Sequence, residues 1–355
     1  MKARTAVTRA PAPDLARLAD LVDQFPRQTI LVLGDFVADE FVFGEISRVS
    51  REAPVLILRH RETQILPGGG ANAANNLADL GAKVRPVAAV GDDAAGRALV
   101  AYFRAKKVPT SGLVQAKGWQ TPAKTRFLAG WPHTARQQVL RMDREPAPAL
   151  PEQTAKALVV KARQRLAGAS AVLVSDYGYG SATPASVQAV RGRGRWPVPV
   201  ALDSRYRLQE FAGLGLTAAT PNEAELEAAY HERIGSDTVR LQHLAQQMAS
   251  RMGLRALVVT RGRDGMVVCE RGSAPQALPI FGSDQALDVT GAGDTVIAVL
   301  TLALAAGATI PEAAQLANYA GGIVVMKRGT ATVTREELSA AIRADATGLP
   351  AAGSN

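Results

Sequence analysis

The chain has a single cysteine, Cys269, in 355 residues. No intrachain disulfide can form, and a reducing compartment, the cytoplasm, is the expected location. Long hydrophobic runs are also missing. The longest near-continuous one, Val296 to Ala306, falls short of the roughly eighteen apolar residues of a membrane span and reads as a buried helix, so no membrane partner is expected. Met1 to Phe25 lacks the apolar stretch of a secretory signal, which predicts no export. Aromatics are only 5% of the chain, and no zinc-finger, RNA-binding or helix-turn-helix signature occurs, so nucleic acid is not the expected partner. There is no G-x-x-x-x-G-K-[ST] loop and no protein-kinase glycine loop with its catalytic-loop motif. Any phosphate this chain binds must therefore be held by a helix N-terminus.

Apolar residues make up 47% of the chain, enough for one large core. Net charge is +9, from 41 Lys and Arg against 32 Asp and Glu. That excess favours a small anion such as a nucleotide or sugar phosphate, or it is the composition of a solvated surface. Apolar runs at Thr29 to Leu33, Val84 to Val90, Ala171 to Ser175, Val198 to Leu202, Ala256 to Thr260 and Met266 to Cys269 predict strands. They alternate with helical patterns at Ala71 to Leu80, Ala94 to Lys106, Pro151 to Ala167 and Glu223 to Tyr230. The alternation predicts an α/β fold, a doubly wound, mostly parallel sheet between helices. Segments of about 40–61 and 119–142 break the rhythm with period-two stretches and are expected to form a small β-layer, either a lid over a cleft or an inert edge hairpin. Residues 1–27 read as a frayed leader with one short helix, 28–343 as the main domain, and 344–355, rich in Ala, Gly and Ser, as a disordered tail.

The sharpest motif is Asp288-Val289-Thr290-Gly291-Ala292-Gly293-Asp294-Thr295, directly before the apolar helix. Small residues at Gly291, Ala292 and Gly293 let backbone approach a ligand, and their amides are expected to face an anion at the helix N-terminus. Asp294 beside them either accepts a proton from an attacking hydroxyl or merely caps the helix. The eight-residue string resembles the signature of the ribokinase (PfkB) family of carbohydrate kinases, in which the matching Asp is the base.

The resemblance runs from about Gln28 to Ile342. Gly68, Gly69, Gly70 and Asn72, in a glycine turn entering a helix, look like the family's sugar-binding signature, and Asn72 as a plain cap is the competing reading. Asp39, just beyond the first strand, matches the position that accepts from sugar hydroxyls, while Asp35 reads as a turn cap. Asn222, Glu223, Ala224 and Glu225 resemble the family's N-x-x-E motif, where Asn222 and Glu225 organise water and Mg²⁺ at the phosphates of ATP. A helix capping box is the competing explanation. Thr260, Gly262 and Gly265 look like the segment along the nucleotide, or an ordinary turn, and Asn318 like the residue beside the adenine, or a solvent-facing one. Asp288 and Thr290, with backbone near 324–329, match the family's monovalent-cation loop, which implies K⁺.

Within the family, Ser47 to Val55 resembles the S-R-x-S-x-E-A-P-V segment of heptose 7-phosphate 1-kinases of ADP-heptose synthesis. Arg48, Lys124, Arg126, Arg141, Asp143 and Asp176 follow the same pattern, and an arginine-rich lid suits a phosphorylated substrate. Two positions depart from it: Tyr179 stands for a lysine, and Ser204-Arg205 for a Pro-Lys pair. Either a phosphate-gripping ammonium is lost or Arg205 replaces it. The resemblance implies a homodimer formed through the lid, and the nucleotidyltransferase module of bifunctional relatives is not expected in this chain. Other sugar, sugar-phosphate or nucleoside acceptors, and a non-catalytic binding relative, are the competing functions.

Overall fold

The structure, a computed structural model, describes residues 8–9, 13–131, 134–146, 149–283 and 285–347. In chain order the strands are β1 (Thr8–Arg9), β2 (Thr29–Gly34), β3 (Phe36–Val49), β4 (Leu56–Gly69), β5 (Lys83–Gly91), β6 (Leu113–Ala116), β7 (Ala123–Gly130), β8 (Gln137–Arg144), β9 (Ala171–Asp176), β10 (Val200–Ser204), β11 (Ala218–Ala219), β12 (Ala256–Thr260), β13 (Met266–Glu270) and β14 (Gln276–Leu278). The helices are α1 (Leu15–Asp23), α2 (Gly70–Asp79), α3 (Ala94–Ala105), α4 (Glu152–Leu166), α5 (Pro184–Arg191), α6 (Glu223–Tyr230), α7 (Thr238–Met252), α8 (Ala292–Ala305), α9 (Ile310–Val324) and α10 (Arg335–Thr347).

The large sheet has ten strands in the order β1-β14-β13-β12-β11-β10-β9-β2-β5-β6. From β6 to β12 every pairing is parallel, and the β12–β13–β14 meander is antiparallel. Both faces are covered, which is why its strands read as unbroken apolar runs. In β2, Ile30 and Val32 enter the core under α2, α8 and α9, while Leu31 and Leu33 enter the core under α4, α5 and α7. The α8 sequence is apolar all round because that helix is wedged between α2, α9 and the sheet.

The chain winds outward from β2 through β5 and β6, then returns to the other side of β2 at β9. A crevice opens at such a reversal, beyond the carboxyl ends of the strands. β3 leaves the main sheet just there and forms, with β4, β7 and β8, a separate sheet of order β4-β3-β7-β8. Its root is anchored at the crevice, since Val37 pairs with Gly68 and Asp39 with Leu66, and β4 runs straight into α2.

Two boundary expectations change. The short helix expected within 1–27 is present as α1, but its Leu18, Leu21 and Val22, with Phe25, are buried in the main core, and Thr8–Arg9 pairs with β14, so these residues belong to the main body. At the other end α10 continues to Thr347, taking in the first four residues of the tail expected from 344. The rest of that tail, 348–355, lies outside the described residues.

Candidate active site

A cleft of about 460 Å³ lies between the small sheet and the carboxyl ends of the parallel strands. Val37, Asp39, Lys124, Arg126 and Arg141 line it from the small sheet, and Gly69 from the end of β4. Tyr177, Asp203, Arg205, Thr220, Asn222, Glu225 and Thr260 come from the strand ends, with Val289, Thr290, Gly291, Gly293 and Asp294 from the mouth of α8.

Gly291 caps α8 in the left-handed region, at φ +78°, where a side chain is strained and would also run into the Asn72 amide. That turn sets which amides are available. The Ala292 N–H is donated back to the Val289 carbonyl at 3.2 Å, and Thr295 N–H to the Gly291 carbonyl at 3.1 Å. The Gly293 and Asp294 amides have no protein acceptor among the described residues. One member of the expected set Gly291 to Gly293 is therefore corrected: the Ala292 amide is turned inward, while the Gly291 amide, like those of Gly293 and Asp294, has no protein acceptor among the described residues.

Asp294 is only 3% exposed. Its Oδ1 accepts from the Tyr177 hydroxyl at 2.8 Å and its Oδ2 from Asn72 Nδ2 at 3.0 Å. Burial pushes the carboxyl up to about 7, with those two hydrogen bonds pulling the other way. Asn72 is itself held by Asn76, whose Nδ2 donates to the Asn72 carbonyl at 3.0 Å, and Asn76 Oδ1 accepts from Thr295 at 3.1 Å. The glycine-turn helix α2 and the α8 N-terminus are thus tied together at the carboxylate. Asp294 is more than a helix cap.

On the small sheet, Asp39 is ion-paired with Arg126, and burial nevertheless raises its pKa. Gly68 backs onto it so closely that a Cβ there would lie 2.5 Å from Asp39 Oδ2. Arg141 is bonded to Asp143 at 2.9 and 3.1 Å. Lys124 and Arg205 form no ion pair among the described residues; Lys124 instead stands 5.4 Å above the Tyr177 ring. Burial and the neighbouring Arg205 charge lower the Lys124 pKa.

On the far wall, Asn222 and Glu225 form a reciprocal capping box, Glu225 N–H to Asn222 Oδ1 at 2.8 Å and Asn222 N–H to Glu225 Oε2 at 2.9 Å, and both also line the cleft. The two readings of this motif are therefore compatible. Burial raises the Glu225 pKa, and Asp203 is pushed well above its usual range by burial and by the nearby Glu225 and Asp294 charges. At the α8 mouth, Asp288 accepts from Thr290 N–H at 2.9 Å and Gly329 N–H at 2.8 Å. Burial works to raise its pKa, but those bonds outweigh it and hold Asp288 low.

Several expected residues are not brought to the cleft lining. Arg48 is exposed near the far end of β3, nine residues beyond Asp39, a separation of about 30 Å along a strand. Asp176 is buried and already engaged with Arg207, Ser204 and Gly178, so it shapes the loop instead of facing a ligand. Glu223 pairs with Arg261 at 2.9 Å, and Ala224 lies on the exposed side of α6. Gly262 and Gly265 shape the turn between β12 and β13, outside the lining. Asn318 is buried, not solvent-facing, and donates to the Pro279 carbonyl at 2.7 Å. Asp35 accepts the amides of Tyr177, Tyr179 and Ser181 at 3.0, 2.9 and 2.7 Å, which fixes the loop after β9. Sequence reasoning did not single out Asp203 and Thr220, nor Tyr177 as a partner of Asp294. Each sits at the end of an apolar strand, the same signal that marked Asp39.

Residues 29–337 match the model of the pfkB family carbohydrate kinases. The chain is 37% identical over 337 residues to the bifunctional protein HldE of Hyphomonas neptunium, covering 92% of this chain and 66% of that protein. It is 40% identical over 342 residues to the bifunctional protein HldE of Mesorhizobium japonicum, covering 94% of this chain and 65% of that protein. The chain thus spans just under two thirds of the length of these relatives. Its fold is similar to that of Arabidopsis thaliana ribokinase complexed with ribose and ATP, with a TM-score of 0.68 at 20% identity, covering 89% of this chain and 98% of that one. Escherichia coli phosphofructokinase-2 in complex with substrates and products gives a TM-score of 0.71 at 18% identity, covering 89% and 98%.

Proposed function

Because the chain belongs to the pfkB family of carbohydrate kinases, we propose that it transfers the γ-phosphoryl group of ATP to a sugar that already carries a phosphate. The proposed acceptor is the C1 hydroxyl of D-glycero-D-manno-heptose 7-phosphate. The observation carrying the second phosphate is the pair of cleft cations that form no ion pair with a carboxylate among the described residues, Lys124 and Arg205. Arg126 and Arg141 are already neutralised by Asp39 and Asp143, whereas these two repel each other in a partly dry cleft that a phosphate dianion would relieve. The sugar identity rests on the 47–55 segment and on the resemblance of the HldE relatives.

In this reading Asp39 orients the sugar, Asn72, expected at the sugar but fully buried behind the cleft lining, holds the Asp294 carboxylate, and Asp294 removes the proton of the attacking hydroxyl. The oxygen bonds to the γ-phosphorus as the bond to ADP breaks, with the Gly293 and Asp294 amides facing the charge on the migrating group. A base with a pKa near 7 suits this role at neutral pH. Mg²⁺ fits the wall where Glu225 and Asp203 hold carboxyls above their usual range, since a dication would relieve them. No group of three metal-ligating side chains occurs among the described residues, which suits an ion held largely through waters with Asn222 and Glu225. When bound, it would neutralise the phosphate oxygens. K⁺ suits the loop around Asp288 and Thr290, where the carboxylate stays ionised.

A homodimer through the small sheet is part of the proposal. The hairpin carrying Arg48 stands away from the chain's own cleft, and Val49, Leu56, Leu140 and Met142 are exposed on that sheet, as is expected of a surface covered by a second copy. No helix among the described residues is long and apolar enough to cross a membrane, and a cytoplasmic location agrees with the lone buried Cys269.

The test is ADP release with ATP, Mg²⁺ and equal concentrations of heptose 7-phosphate, fructose 6-phosphate, ribose and a nucleoside. Preference for heptose 7-phosphate supports the reading. Preference for an unphosphorylated acceptor overturns the role of Lys124 and Arg205, and no ADP with any acceptor favours a non-catalytic relative.

A further inference from the structure

Tyr177 stands apart from the residues that sequence motifs supply. Its hydroxyl is 2.8 Å from Asp294 Oδ1, on the opposite side of the carboxylate from Asn72. Its ring lies beneath the Lys124 ammonium of β7. The loop that carries it has little freedom: Asp35 clamps the amides of Tyr177, Tyr179 and Ser181, and Asp176 is locked by Arg207 and Ser204. The packing cost of two buried carboxylates, Asp35 and Asp176, is thus spent on fixing one phenol against a third.

We propose that Tyr177 is the positioning residue of the catalytic base, holding the Asp294 carboxylate in its reactive orientation through a permanent hydrogen bond and linking that carboxylate to the lid through Lys124. A carboxylate has lone pairs on both oxygens, so one bond from Tyr177 and one from Asn72 leave room for the acceptor hydroxyl while removing rotational freedom. Tyr177 cannot serve as the base itself. Burial and the Asp294 charge raise its pKa well above the usual phenol value, so it stays a donor throughout the working pH range. A donor to the charged form of Asp294 also favours ionisation, so losing it should make the base harder to ionise.

This inference rests on Asp294 acting as the base, and the experiment separates the two. The probe is the pH profile of kcat/KM for the wild-type chain, Tyr177→Phe, Asp294→Asn and the double variant, with the sugar phosphate that the acceptor panel selects. Wild type should show an acid limb near pH 7; a profile with none would remove the base assignment. In Tyr177→Phe the limb should move up by about one pH unit, and plateau kcat should fall about tenfold with sugar KM changed much less. A limb in the wild-type position, or a loss confined to KM, would overturn the inference while leaving Asp294 as base. The double variant should be no slower than Asp294→Asn, because Tyr177 acts only through that carboxylate; additive losses would also overturn it. If the phenylalanine variant does not fold, 3-fluorotyrosine at position 177 gives a nearly isosteric, stronger donor. It should move the limb down, and an unmoved limb counts against the inference.

Discussion

Replacing Asp294 with Asn should stabilise the ligand-free protein while reducing its turnover to a small residual rate. Burial raises the folded-state pKa of Asp294 from 3.8 to about 7. The folded chain therefore keeps a proton that the unfolded chain releases, and stability falls as pH rises between those two values and is flat above them. A shift of roughly three units corresponds to about 4 kcal/mol at full ionisation, and the group is buried, so solvent screening removes little. Asn escapes this cost but turns one acceptor into a donor. The Tyr177 hydroxyl can rotate to accept from it, which leaves a penalty of about 1 kcal/mol. Removing the charge also relieves Asp203, which it otherwise pushes up. The variant should therefore match wild type near pH 5 and exceed it by about 2–3 kcal/mol at pH 8. Urea unfolding of both proteins at the two pH values, without nucleotide or sugar, measures the difference, in which the other titrating groups largely cancel. A gap that stays constant from pH 5 to 8 would refute the reasoning, since it would mean that Asp294 ionises as an ordinary carboxylate. ATP binding to the variant should be close to wild type, because the Gly293 and Asp294 amides are unchanged.

Arg205→Met and Lys124→Met should each raise KM for a sugar phosphate roughly 10- to 100-fold, the loss of a charge-assisted bond, with little effect on an unphosphorylated analogue; equal effects on both would argue against a phosphate at this pair. Gly68→Ala should raise sugar KM by about tenfold or more, because the new Cβ would lie 2.5 Å from Asp39 Oδ2 and displace the carboxylate from Arg126, and unchanged kinetics would show that Asp39 does not touch the sugar. Glu225→Gln should raise the Mg²⁺ concentration needed for half-maximal rate, read from a metal titration at fixed ATP, while leaving sugar KM nearly unchanged. Leu140→Glu with Met142→Glu should give a monomer in sedimentation if a second copy covers the small sheet, whose Leu140 is 57% exposed, and a wild-type chain already monomeric at high concentration would exclude that interface.

Where sequence succeeded, a local physical constraint was written into consecutive residues. β2 and β12 are apolar on both faces because both faces are covered, and α8 is apolar all round for the same reason. The Asp294 position was legible because the left-handed Gly291 and the helix start at Ala292 lie three and two residues before it. What escaped was long-range: Tyr177 is 117 residues from the carboxylate it touches, and Lys124 meets Arg205 only because the small sheet is rooted at the crevice. The inward turn of the Ala292 amide was equally invisible, since motif spacing does not reveal which amide a positive-φ cap turns away. Motif membership also misled about reach, placing Arg48 in a signature but at the far end of a strand, and Asp176 in another but facing inward. A topological signal would have found most of the missed residues. In a parallel sheet that reverses direction at β2 and β9, whatever follows an apolar strand faces the crevice. Tyr177 after β9, Arg205 after β10, Thr220 after β11 and Thr260 at the end of β12 all obey that rule, and all line the cleft. The strand ends therefore supply the charged and hydroxyl-bearing wall of the cleft, whereas the glycine turns shape the entries of α2 and α8. Substitutions at Arg205 and Lys124 should consequently change which sugar is accepted, and those at Gly291 and Asp294 whether any is.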